Sequence, residues 1–534
     1  MSRLSRHVIS YAAAALCYAV VTVGPAHGQT PQAAVVSGPL TLEQVLELAQ
    51  QRSETVALAR TSVQRAELQQ LRVRSALFPQ LNLSASYDRA LASEFSGVFD
   101  GFRQGGGGAP ADDGGTGGGN LEDLPFGRAN TWRVGLSFSQ NVFSGGRIGA
   151  QRALAVVGRE SAELAVTTAQ AQLMFDVTQA YYDAALSDRL VSIAEATVRQ
   201  ASATFQQALA GFEAGTQPEF EVLRAQVSRD TQNPVLIRQR VNREVALLRL
   251  KQMLDLPAGT DLRLAEVLSD DLMPPPPIFA ARVSAVESRM LSEDPVQATL
   301  QSDAALTPRT VEQEAATVVR LREAALQAVA AERKPSVTLN SNYGQVTYPS
   351  QPLWGFNSLR TNWTVGAVMQ LPLLTGGRQR ADELIAQADV EDARLRLRQV
   401  NELAALDTRS AWAELVAARA AWESTAGTVQ QAGRAYDIAS VRYQAGVSTQ
   451  LELSDSRLLL QQADANRALA ARDLHIARAR VALLPNLPLG AGAGGGQPRQ
   501  TVPASPAQPQ PQQPQGGGQI RSASTQGGAQ GGRQ

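Results

Sequence analysis

The chain repeats itself, and that repeat restricts its possible folds more than any other feature of its 534 residues. Shifted by 231 positions, Trp132 falls on Trp363, Val134 on Val365 and Gly135 on Gly366. Gly145-Gly146-Arg147 falls on Gly376-Gly377-Arg378, Glu160 on Glu391, Leu164 on Leu395, Gly215 on Gly446 and Leu256-Pro257 on Leu487-Pro488. The register holds without a gap from Trp132 to Pro257, 126 residues, which is too long for coincidence. Upstream, Pro79 matches Pro335 at a shift of 256. The 25 additional residues belong to a Gly-rich stretch of the first copy, Gly105–Asn120, of the kind that forms an external loop and tolerates insertion. One unit is used twice.

Each copy has the same order of elements. A helix comes first, Leu42–Ala76 in copy one, opened by Thr41 with Gln44 three residues on as a capping box. In copy two it is expected over Pro308–Arg333, capped by Thr307 with Pro308 in the first helical position. Two strands follow, and then a long helix, Ile148–Phe212 and Gln379–Tyr443, without a proline in either copy. At about 1.5 Å per residue each would extend roughly 100 Å. A short Gly-containing turn leads into a return helix, Pro218–Leu254 and Leu451–Leu484. Pro234 is expected to kink the first return helix, whereas Ala465 stands at its counterpart. The chain thus divides into a leader (1–28), a first repeat (29–257, with loop 91–130), an irregular linker (258–306), a second repeat (307–488) and a tail (489–534). The linker holds Pro274–Pro277, which breaks helices. The tail is rich in Gln, Pro and Gly, with too little apolar surface to order itself.

The strands alternate with period two. Leu81, Leu83, Ala85 and Tyr87 share one face, as do Trp132, Val134, Leu136 and Phe138. Val337, Leu339 and Tyr343 do the same, and Trp363, Val365, Ala367, Met369 and Leu371 less cleanly. The opposite faces carry Ser, Asn and Thr. One apolar and one small polar face over about ten residues suits a transmembrane barrel strand. Tyr87, Trp132, Tyr343 and Trp363 lie near the loop ends, where an aromatic girdle would sit. Four strands cannot close a barrel, and lipid admits no open sheet edge, so spanning requires several copies: two give eight strands, three give twelve. Helices of this length also need lateral neighbours from other chains. The fold class is therefore an α+β membrane protein of two β-hairpins and two long α-hairpins, complete only as an oligomer.

Composition narrows the function. His7, His27 and Cys17 all fall in the first 28 residues, which read as a secretory signal: Arg3 and Arg6, an apolar run from Val8 to Val23, and a small-residue cleavage site at Ala26-His27-Gly28. A mature chain from Gln29 would keep His475 as its one histidine and have no cysteine. That excludes disulfides, cysteine nucleophiles, Cys/His metal sites and most histidine acid–base chemistry, so no enzyme and no cofactor is expected. The 47 remaining bases and 49 acids give a net charge of −2, which speaks against nucleic-acid binding. Ala14-Ala15-Leu16 before Cys17 is a poor match to a lipid-anchor signal. The Gly-Gly-Arg pairs lack the Lys-Ser/Thr of a phosphate loop, Asp112-Asp113 lack a calcium period, and His475, in an Arg-rich helix, reads as a surface residue.

With these marks the chain resembles the TolC family of outer-membrane efflux proteins, over about residues 39–488. The specific similarities are the tandem repeat, the strand starts Phe78-Pro79-Gln80-Leu81 and Lys334-Pro335-Ser336-Val337, the Gly-Gly-Arg exits, and the turns Phe212-Glu213-Ala214-Gly215 and Tyr443-Gln444-Ala445-Gly446-Val447. The resemblance implies a homotrimer whose twelve strands form one outer-membrane β-barrel, continuous with a periplasmic α-helical barrel. It implies a passive exit duct of a tripartite efflux or type I secretion system. The partners would be outer-membrane lipid, a periplasmic adaptor (membrane fusion) protein and an inner-membrane pump of RND, ABC or MFS type. It places acidic rings of the channel constriction at Glu452 and Asp455, although Thr449 through Glu452 also reads as a capping box. In the first copy Glu221 matches Glu452, but Arg224 stands at the position of Asp455. Glu221 and Tyr443 match the pair that links tips in a shut gate, while the basic latch position is Ser448, a departure. Ala214, Gly215 and Thr216, with Ala445, Gly446 and Val447, are the adaptor-docking turns it implies. The rival reading is a soluble periplasmic coiled-coil adaptor or scaffold, which shares the α-hairpins but has no use for girdled strands.

Overall fold

The fold is known from a computed structural model, which describes residues 38–91, 130–265, 268, 274–275, 277–292, 308–348 and 359–491. The leader, the Gly-rich loop from 92 to 129 and the tail beyond 491 lie outside the described residues.

The first helical segment is two helices, α1 (Leu42–Arg52) and α2 (Glu54–Ser75), preceded by the short strand β1 (Pro39–Leu40). Thr41 closes its capping box as expected: its backbone N–H donates to Gln44 Oε1 at 3.1 Å, and its hydroxyl accepts from the Gln44 N–H. The expected single helix is interrupted at Ser53, whose extended backbone and side-chain oxygen, accepting from the Val56 N–H, start α2 afresh. Leu42, Val45, Leu46 and Ala49, spaced for one helical face, are all buried.

Strands β2 (Gln80–Arg89) and β3 (Asn130–Phe143) form one antiparallel hairpin, and β5 (Ser336–Thr347) and β6 (Arg360–Gln370) another. β3 also pairs with β5, so the two hairpins make a single sheet in the order β2-β3-β5-β6. The register aligns like faces across it: Leu83 opposite Leu136, Leu136 opposite Tyr343, Tyr343 opposite Trp363. On the other face Asn82, Ser137, Asn342 and Thr364 form one row. A bulge between Asn141 and Phe143 inserts Val142 and returns Phe143 to the apolar face, opposite Val337. Strands β2 and β6 pair with nothing along their outer edges among the described residues.

Gly146 and Gly377, both with positive φ, turn the sheet into two helices of 67 residues each, α3 (Arg147–Glu213) and α7 (Arg378–Gln444). Neighbouring Gly145 is required for space: a Cβ there would lie 2.7 Å from the Cβ of Lys334. The return helices are α4 (Glu219–Met253), unbroken through Pro234, and α8 (Gln450–Leu483). α3 packs on α4 and α7 on α8. Between the long helices lies α6 (Thr310–Ala331), in contact with both. Its cap is Arg309, not Thr307, which lies outside the described residues. The Arg309 side chain is held in the interior by Asp407 at 2.9 Å and by the carbonyls of Ala404 and Leu487, which fixes its backbone extended and starts the helix two residues late.

The stretch expected to be irregular is partly ordered. Residues Arg263–Leu264 (β4) pair in parallel with β1, and Pro277–Ser292 form helix α5. Pro277, last of the proline run, occupies the first helical turn, where its fixed φ and missing N–H do no harm. Phe279 and Val283, one turn apart, are buried in the same core cluster as Leu42, Leu46, Phe175, Tyr181 and Leu250. His475 is a further correction. It is 5 % exposed and its ring stacks on Tyr182 with centroids 4.6 Å apart. The arginines around it are not a solvated face either: Arg478 pairs with Glu287, Arg480 with Asp407 and Glu414, and Arg472 with Asp183. Among the described residues no helix is long and apolar enough to cross a membrane.

Candidate functional site: the helical tips and the sheet

Both hairpin tips close in the same way. Gly215 and Gly446 each have φ +71°, a left-handed conformation that glycine adopts without strain. Their N–H groups donate to the carbonyls of Phe212 and Tyr443. Thr216 and Gln217 donate back to the Gly211 carbonyl, as Val447 and Ser448 do to that of Arg442. Ala214 and Ala445 end α3 and α7 at equivalent positions. The six turn residues marked in the sequence therefore form two geometrically matched tips.

Beyond the second tip, Thr449 caps α8 by accepting the Glu452 N–H. The reciprocal half of a capping box is absent, because the Glu452 carboxylate reaches Arg442 at 3.3 Å instead. Asp455, one turn further on, is exposed and has neither a hydrogen bond nor an ion pair among the described residues.

The structure brings Tyr443 and Glu221 into one neighbourhood, but the direct partner of Glu221 is Gln450, at 3 % exposure one of the least accessible polar residues. With its amide oriented to satisfy both ends, Gln450 Nε2 donates to Glu221 Oε2 at 2.8 Å and Oε1 accepts the Ala225 N–H at 3.0 Å. Arg457 adds a second tie between α8 and α4, donating to Ser228 Oγ at 2.7 Å. Tyr443 packs with Ala439 and Leu453, and its hydroxyl is buried without a hydrogen bond. Burial pushes its phenol pKa up, the Gln217 side chain facing it opposes this, and the charge of Glu221 raises it further. Ser448 Oγ and Gln217 Oε1, counterparts in the two copies, are buried and unpartnered too. Gln450 and Arg457 escaped the sequence reading because each partner lies more than 200 residues away and belongs to no motif.

At the loop end of the sheet, Tyr87 faces Trp132 across one hairpin, with centroids 4.8 Å apart, and Tyr343 faces Trp363 across the other, 6.4 Å apart and edge-on. These are the same two positions of the repeat. The Tyr87 hydroxyl donates to Asn130 Oδ1 and Trp363 Nε1 to Ser341 Oγ. Trp363 is 69 % exposed, and Leu83, Val365 and Met369 on the same face are exposed to a similar degree. A sheet face of this kind in a single chain is unfinished: large apolar side chains are left without cover.

Comparison with known proteins agrees with this architecture. The chain is similar in structure to the CmeC outer membrane channel of Campylobacter jejuni, with a TM-score of 0.65 and 16 % identity over 84 % of this chain and 86 % of that one. It is similar to the outer membrane protein VceC of Vibrio cholerae, with a TM-score of 0.61 and 17 % identity over 83 % and 96 %. A third likeness is to the MtrE outer membrane channel of Neisseria gonorrhoeae, solved in its open state, with a TM-score of 0.61 and 18 % identity over 84 % and 89 %. No curated protein matches the sequence. The sequence model described as outer membrane efflux protein matches residues 45–255 and 303–487, which span both repeats and most of the chain, and the chain belongs to that family.

Proposed function

We propose that three copies of the chain join edge to edge into a twelve-stranded barrel in the outer membrane, with their helices forming a duct through the periplasm. The observation that carries this reading is the four-stranded sheet, open along β2 and β6, with one exposed apolar face bounded by Tyr87/Trp132 and Tyr343/Trp363. Lipid forbids free backbone at those edges, so closure by further copies is the physical solution. As a member of its family the chain is an efflux channel protein and not an enzyme. It moves substrate passively, and the energy must come from a pump in the inner membrane reached through a periplasmic adaptor seated on the tips at 214–216 and 445–447. Residues 1–28 would direct export and be removed.

Three copies would place Glu452 and Asp455 around a common axis at the periplasmic end, where fixed carboxylates favour cations. Opening that end requires α4 and α8 to part, a helix shift in which the Glu221–Gln450 contact is broken. Membrane fractionation tests the whole reading. A heat-modifiable trimer in the outer membrane, conducting ions when placed in a planar bilayer, is the expected result. A soluble monomer in the periplasm would instead support an adaptor or scaffold.

A further inference from the structure

The two acids of the second tip are electrically unlike. Glu452 has a guanidinium at 3.3 Å, that of Arg442 in the last turn of α7, whereas Asp455 has no partner among the described residues. Both members of the pair are about half exposed, so it adds little stability. Its effect on the field does not need stability: seen from several ångströms away, a carboxylate in contact with a guanidinium acts as a dipole and not as a charge. The contact also lies within one hairpin. The Arg442 carbonyl accepts the N–H groups of Val447 and Ser448, which set the turn that carries Arg442 back towards Glu452. Parting of the two hairpins therefore leaves the pair intact.

The first copy offers no compensation. Glu221 and Arg224 stand where Glu452 and Asp455 stand in the second, and Gly211 stands at the position of Arg442. The five charged groups at these matched positions are three acids and two bases, one net negative charge per chain; Glu221 is bonded to the neutral amide of Gln450 and its charge is offset in number by Arg224, while Asp455 is the exposed acid without a partner among the described residues. We propose that Arg442 is a selectivity-determining residue: by neutralising Glu452 it holds the net fixed charge at these positions to one negative charge per chain, with Asp455 as its exposed carboxylate. The inference rests on the trimeric duct reading and deepens it.

The test is the potassium-to-chloride permeability ratio of the purified full-length protein in planar bilayers, from reversal potentials in a salt gradient. Arg442→Gln exposes a second acid per chain and is expected to raise the ratio. For three charges about one screening length from the axis, the rise is about two- to threefold. Asp455→Asn should bring the channel close to non-selective. The double variant Arg442→Gln with Glu452→Gln should return to the wild-type ratio, since both members of a neutral pair are gone. An unchanged ratio in Arg442→Gln, with the double variant falling below wild type, would show that the guanidinium does not act on the pore and would overturn the inference. A wild-type protein that forms no conducting trimer overturns the duct reading itself, and this inference with it.

Discussion

His475 shows how much a single residue can hide. It sits in an arginine-rich helix and would be expected in water, yet it is buried against Tyr182. Burial, aided by the charge of Arg478, lowers its pKa from the usual 6.5 to about 4. The folded chain therefore holds this ring neutral where the unfolded chain would protonate it. Its contribution to stability is fully present above pH 6.5 and is lost as the pH falls from 6.5 towards 4. Wild type should lose a few kcal/mol between pH 7.5 and pH 4.5 relative to His475→Phe, which keeps the stacking without the titration. Denaturant midpoints by circular dichroism at the two pH values would read this, and parallel losses would refute it. An arginine run looks solvated until its acids are known. Asp183, Glu287, Asp407 and Glu414, which receive Arg472, Arg478 and Arg480, come from three other helices. Sequence spacing carries no signal for such pairs.

At the scale of elements, what repeats was legible and what departs from the repeat was not. The four strands and both long helices announce themselves by period and by the shifts of 256 and 231 residues, because each buries or exposes a continuous face. The break at Ser53 follows from one side-chain cap, the late start of α6 at Arg309 from partners about 95 residues and more away, and helix α5 from two residues buried in the core; none is marked by the repeat. The same holds at the tips: the matched turns could be read from their glycines, whereas the Gln450–Glu221 contact could not. The β-bulge is the most consequential of these local features. Without the bulge to absorb Val142, Phe143 would fall on the polar face, because a one-residue slip inverts a strand. Deleting Val142 should therefore keep Phe143 opposite Val337 and preserve the outer-membrane trimer, while inserting one alanine after Val142 should lower its yield by about tenfold or more, as a gel of unheated membranes would report. Equal yields from both would mean that the bulge is incidental.

For the whole molecule, two sheet edges free among the described residues and an uncovered apolar face are what the proposed closure by further copies would complete. The two faces of β6 can be told apart by charge. Val365→Arg places a cation on the apolar face at a cost of about 2–4 kcal/mol near the middle of a bilayer, whereas Thr364→Arg places it on the polar face. The first should abolish the heat-modifiable trimer and the second should preserve it; the reverse order would mean that the lumen and lipid faces have been exchanged. The matched tips have a consequence for stoichiometry. Both tips are built on the same backbone hydrogen bonds around a left-handed glycine, yet one presents Thr216-Gln217 and the other Val447-Ser448. In the proposed threefold assembly the tips would form a near-sixfold crown of alternating chemistry. A partner that reads only the backbone shape finds six places on it, and one that reads the side chains finds three.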